Sequence, residues 1–202
     1  MRLFAAVQPR LVALGHLETA LTTVRGGRPE PSLRWTSPDD WHITLAFYGE
    51  APEGYLDDVA RALDDLGRTL PPFDAALRGA GLFDGRTLWV GCSDEGWGPL
   101  MTGTGRIGAE VLGRPADRRS RPHLTIARVG SRARGDVDRG ARDGRSSVSG
   151  EPASLAHALA VYAGPSWTVG EIALMSSRLG AGPGGVPRYD VVHRSRLSAV
   201  AG

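Results

Sequence analysis

The chain has 202 residues, 41% of them hydrophobic and 23% charged, with a formal net charge of +2. These values suit a soluble globular protein of one domain or two small lobes sharing a core, and no apolar run approaches the ~20 residues of a membrane span. Cys92 is the only cysteine, which excludes an internal disulfide and a thiolate metal cluster and fits a reducing cytoplasm.

Residues 3–7 read as a first strand, since the apolar run is too short for a secretion signal. Residues 9–24 place Leu11, Leu14, Leu17 and Leu21 at helical spacing. After a loop at 26–31, residues 41–48 alternate like a strand. Trp41, Ile43, Leu45 and Phe47 are expected on its core face, and His42, Thr44, Ala46 and Tyr48 on its outer face. Residues 52–70 read as a helix through Val59, Leu63 and Leu66. Strands at 73–83 and 87–92 are joined by Asp84-Gly85, a hairpin-turn signal.

A weak helix is expected over 98–112, because its glycines each cost roughly 1 kcal/mol relative to alanine. The next strand spans 122–129, and 131–150, rich in Gly, Arg, Asp and Ser, reads as a mobile loop. A short helix at 152–162 and strands at 167–176 and 189–197 complete the chain, the strands linked by the glycine-rich 180–187. The order β-α-β-α-β-β-α-β-α-β-β suggests two related halves.

Each half holds one His-x-Thr followed by an aliphatic residue: His42-Ile43-Thr44-Leu45 and His123-Leu124-Thr125-Ile126. On a strand, residues i and i+2 share a face, so each motif sets one imidazole beside one hydroxyl. Two such strands facing one cleft suit phosphodiester hydrolysis. One imidazole takes a proton from water and the other protonates the leaving oxygen, both near an ordinary pKa of about 6.5. The hydroxyls donate to phosphate oxygens as charge shifts. A zinc site wants three or four ligands, and neither motif has a carboxylate on its own face. No metal or cofactor is expected. The other histidines, His16, His157 and His193, share no motif and read as packing or surface residues.

All basic residues are arginine. Between Arg114 and Arg145 ten arginines face four aspartates, an excess of six around the second motif, where a basic field would attract phosphate. Gly103-Thr104-Gly105-Arg106-Ile107-Gly108 fits the dinucleotide pattern G-x-G-x-x-G. It lacks a closely preceding strand and an acidic ribose partner, so nucleotide binding there is not expected.

With "MRLFAAV", "WHITLAFYGE", "LWVG", "RPHLTIARVG" and "LMSSRLGAGPGGVPRYDVV" in this order, the chain resembles the RNA 2′,3′-cyclic phosphodiesterase family, also called 2′-5′ RNA ligase or LigT-like, within the two-histidine (2H) phosphoesterases. The resemblance implies one α+β domain over 1–202. Its two pseudo-symmetric lobes, each an antiparallel sheet backed by helices, form a central cleft. It implies opening of a terminal 2′,3′-cyclic phosphate to a 2′-phosphate on RNA ends or cyclic nucleotides. His42 would be the proton donor to the ribose 3′ oxygen, and His123 the proton acceptor that activates water. Thr44 and Thr125 would bind the phosphate.

Arg128 follows the second motif where the family often has a basic residue, and is a further phosphate candidate. Simple alternation points it away from His123, so that role requires a bulge or a strand end. Tyr48 is a candidate for stacking on a base, whereas Tyr189 reads as packing. Alternatives within the same fold are a 2′-5′ RNA ligase or a phosphoesterase for a small cyclic nucleotide or metabolite. An alternative of another class is a non-catalytic RNA-binding module. Binding alone would not need matched imidazoles. Nothing in the sequence requires an oligomer, so a cytoplasmic monomer is expected.

Overall fold

The computed structural model describes residues 1–26, 33–93, 95–115, 117–118, 121–130, 150–181 and 187–199, apart from the side chains at 53, 117 and 118. The first apolar segments form β1 (Arg2–Val7), α1 (Leu11–Arg25), β2 (Leu33–Trp35) and, after a 3-10 turn at Pro38–Asp40, β3 (Ile43–Glu50). The middle holds α2 (Leu56–Thr69), β4 (Phe73–Phe83), β5 (Thr87–Cys92), α3 (Trp97–Leu112), β6 (Asp117–Arg118) and β7 (His123–Val129). The end holds α4 (Glu151–Ala158), β8 (Ala163–Val169), β9 (Glu171–Arg178) and β10 (Arg188–Arg196). No described helix is long and apolar enough to cross a membrane.

The strands join in the order β10-β9-β1-β3-β7-β5-β4-β8, with β2 on β7 and β6 on β3. The two motif strands are neighbours at the centre, where Ile43 lies opposite Leu124. They divide the eight-stranded path into two lobes of four, with β6 added to the first and β2 to the second. α2 packs on β9 and β10, and α3 on β3, so both back the first lobe. α1 packs on β8 and β4, and α4 on β4 and β5, backing the second. The lobes are therefore not the two halves of the sequence, because β9 and β10 return to complete the first.

Two expectations need correction. The strand read at 167–176 is two strands, β8 and β9, that meet around Gly170. β8 starts earlier and passes through Pro165, which a sheet tolerates because β8 is an edge strand. The helix expected to be weak runs unbroken from Trp97 to Leu112. Gly103 explains part of this: a Cβ there would sit 2.5 Å from Cδ1 of Leu66, so the glycine lets α3 lie close against α2. The loop at 131–150 lies outside the described residues except for Gly150.

Two irregularities decide which side chains leave the core. Against β1, β3 carries extra residues at Leu45 and Tyr48. Ile43 and Leu45 face the core as alternation predicts, but beyond them the phase inverts, and Tyr48 turns inward instead of Phe47. Against β5, β7 carries one extra residue at Ile126. That bulge brings Arg128 round to the face that His123 and Thr125 share.

Candidate active site

His42 and His123 stand at the start of the two central strands, each held by the same local device. Nδ1 of His42 lies 2.7 Å from the carbonyl oxygen of Asp40. Nδ1 of His123 lies 2.9 Å from the carbonyl oxygen of Arg121. A carbonyl only accepts, so each Nδ1 carries the proton and donates it two residues back along the chain. In the neutral ring Nε2 is then the unprotonated nitrogen, the form a general base needs.

Both rings line one cavity of about 590 Å³, together with Thr44, Thr125 and Arg128. Arg2 and Arg121 add two further cationic side chains to the wall, while Asp40 and Asp84 add carboxylates. Arg128 is steadied by a hydrogen bond from Nη1 to Oγ1 of Thr87, at 3.3 Å. Aromatic rings bracket each imidazole. Phe4 and Tyr189 lie 5.0 and 5.1 Å from His42, centroid to centroid. Phe83 lies 4.8 Å from His123, edge to face, with Trp89 at 6.3 Å.

The His42 imidazolium is disfavoured. Burial above all, and then the charges of Arg128 and His123, lower its pKa from 6.5 to about 4, against the opposing pull of the Asp40 carbonyl. These surroundings favour a neutral ring, and an anion bound beside it would reverse much of that cost.

Two such imidazoles beside two hydroxyls and an arginine can move protons at both ends of a phosphodiester. Comparison with known proteins agrees with phosphoester chemistry. The model of the LigT like phosphoesterase family matches residues 14–89, which include the first His-x-Thr and end before the second. A curated RNA 2′,3′-cyclic phosphodiesterase of Thermus thermophilus is 35% identical over 141 residues, spanning 63% of this chain and 68% of the relative. The chain belongs to the LigT-like phosphoesterase family. The likeness of fold to solved structures is wider than the family match. The crystal structure of the Thermus thermophilus protein TT0787 superposes with a TM-score of 0.69 at 29% identity, covering 98% of each chain. Apo LigT of E. coli has the same fold, with a TM-score of 0.68 at 22% identity over 98% of this chain and 97% of that one.

Within this LigT-like cleft the structure brings together His42, Thr44, His123, Thr125 and Arg128. It does not bring Tyr48. That side chain is 3% exposed, and its hydroxyl donates to the carbonyl of Thr104 at 3.1 Å. Tyr48 is therefore a core residue of the first lobe, and the extra residues in β3 are the reason. Phe47, expected in the core, lines the cavity in its place, under the guanidinium of Arg2 at 5.2 Å. Tyr189, expected to pack, faces His42 and lines the cavity as well. Sequence reasoning also missed Phe4, Phe83 and Arg121. A single aromatic in an ordinary strand carries no local signal. The arginine excess around the second motif was the one hint toward Arg121. The G-x-G-x-x-G stretch lies wholly inside α3 and is not a phosphate loop.

Proposed function

We propose that this protein hydrolyses RNA 2′,3′-cyclic phosphate ends to 2′-phosphomonoesters without a metal ion. The observation that carries this reading is the matched pair of imidazoles, each fixed through Nδ1 to a carbonyl two residues back and each lining the same cavity. The name shared by the curated relatives, RNA 2′,3′-cyclic phosphodiesterase, supports the substrate class.

In this reading Nε2 of His123 takes a proton from water as the water oxygen attacks phosphorus. The bond from phosphorus to the ribose 3′ oxygen breaks, and that oxygen takes a proton from Nε2 of His42. The phosphate stays on the 2′ oxygen. Two proton transfers with solvent then restore both rings. Thr44, Thr125 and Arg128 hold the non-bridging oxygens as their charge grows. The phosphate charge also favours the His42 imidazolium, so the proton and the substrate enter the cleft together.

The test is incubation of an oligonucleotide ending in a 2′,3′-cyclic phosphate with the protein in excess chelator, followed by identification of the product. The expected product is the 2′-phosphate, formed at the rate seen without chelator. A 3′-phosphate product would reverse the assignment of the leaving oxygen, and loss of activity with chelator would refute the metal-free mechanism.

A further inference from the structure

We propose that Phe83 and Trp89 form a nucleobase platform for the nucleotide next to the cyclic-phosphate end, so that oligonucleotides are preferred over single nucleoside cyclic phosphates. The inference rests on the cyclic phosphodiesterase reading and deepens it.

The platform is built into the second lobe. Leu88 and Val90 are fully buried, so Trp89 between them stands on the opposite face of β5. Its indole lies flat against the sheet because the residue facing it on β4 is Gly81, where a Cβ would sit 2.5 Å from Cζ2 of the indole. Phe83 stacks on Trp89 with ring centroids 5.1 Å apart and planes 24° from parallel. The next residues, Asp84 and Gly85, have φ of 49° and 64°, the left-handed values a tight hairpin requires. Phe83 is thus fixed at the end of a short rigid hairpin, lines the cavity and remains 37% exposed.

Two features choose the ligand. The guanidinium of Arg121 lies 5.9 Å from the Trp89 ring centroid and also lines the cavity, placing a cation beside a flat apolar surface. That combination suits a nucleotide in a single strand, with its base stacked and its phosphate near the charge. The first lobe already offers aromatic surface beside His42, through Tyr189 and Phe47. With His42 as donor to the ribose 3′ oxygen, the terminal base falls on that side. The Phe83 surface belongs to the other wall of the cavity, beside His123, and in the proposed arrangement it is left for the neighbouring base. A mononucleoside cyclic phosphate fills one wall, and a dinucleotide fills both.

The experiment compares a dinucleotide and a mononucleoside that carry the same 3′ base and the same 2′,3′-cyclic phosphate. Wild type should favour the dinucleotide by about tenfold or more in kcat/KM, mainly through KM, as one stacked base provides. Phe83→Ala should bring the ratio close to one, and Phe83→Tyr should keep it. An unchanged ratio in Phe83→Ala would overturn the platform, even if both rates fall together, since Phe83 would then serve His123 alone. The absence of any preference in wild type would overturn it as well. If wild type opens neither substrate, the cyclic phosphodiesterase reading fails on its own. The platform is then judged by Trp fluorescence during titration with the matching mono- and dinucleotide 2′-phosphates. Equal affinities for the two would refute it.

Discussion

In the proposed reaction His42 is the proton donor, yet its surroundings disfavour the charged ring, and those demands conflict. Burial, Arg128 and His123 lower its pKa to about 4, so the ring is overwhelmingly neutral at pH 7 in the free protein. Because kcat/KM reports the free protein and kcat the complex, the two pH profiles should differ. The apparent pKa of kcat/KM that belongs to His42 should lie near 4, well below the ordinary histidine value. The matching pKa of kcat should lie higher, because the phosphate anion stabilises the imidazolium. Arg128→Gln removes a positive charge that disfavours the same ion. An NMR titration should therefore show the His42 pKa moving up in that variant, and an unmoved or lowered value would remove Arg128 from the account. Thr125→Val keeps the shape of the side chain and removes a donor. Steady-state kinetics should show a loss of about 10²-fold in kcat, as for one lost oxyanion donor. At this scale the sequence was most legible, since two copies of one motif on alternating strands mark four of the cavity residues. Tyr189, alone on an edge strand, offered no such repetition.

Elements explain the misread residues. Strand alternation is a reliable guide only until an extra residue enters, and no composition signal marks Leu45, Tyr48 or Ile126 as bulge positions. The same cause that hid Tyr48 in the core carried Arg128 into the cleft. Tyr48→Phe should therefore cost stability rather than binding. Loss of the hydrogen bond to Thr104 leaves a buried carbonyl with one partner fewer and should lower unfolding free energy by about 1 kcal/mol in a denaturant titration, with KM unchanged. A rise in KM would return Tyr48 to the site. The glycines of α3 divide similarly. Nothing lies within 4 Å of the place a Cβ on Gly105 would take, whereas Gly103 abuts Leu66. Gly105→Ala should stabilise by about 0.5–1 kcal/mol through helix propensity. Gly103→Ala should be less stable than Gly105→Ala by about 1 kcal/mol or more, because the added methyl overpacks the α2–α3 contact. Thermal unfolding of the two variants checks the order. Composition alone treats these glycines alike, which is why α3 was expected to be weak.

At the scale of the molecule, the fold sets two strands side by side at the centre of the sheet. β3 and β7 are far apart in sequence, yet they meet at Ile43 and Leu124, and each brings an imidazole to the same cavity. The two-lobed α+β architecture was legible from element order and from the family resemblance. The interleaving was not, since the return of β9 and β10 to the first lobe is a long-range pairing that local periodicity does not encode. In the proposed reaction the two imidazoles act as one unit. The most direct measurement is the rate of opening of an RNA 2′,3′-cyclic phosphate end by wild type, His42→Ala, His123→Ala and the double variant. Each single variant should lose about 10²–10⁴-fold, and the double variant should lose little more than either, because acid and base serve one transition state. Near-wild-type activity in either single variant, or losses that simply multiply in the double, would contradict it.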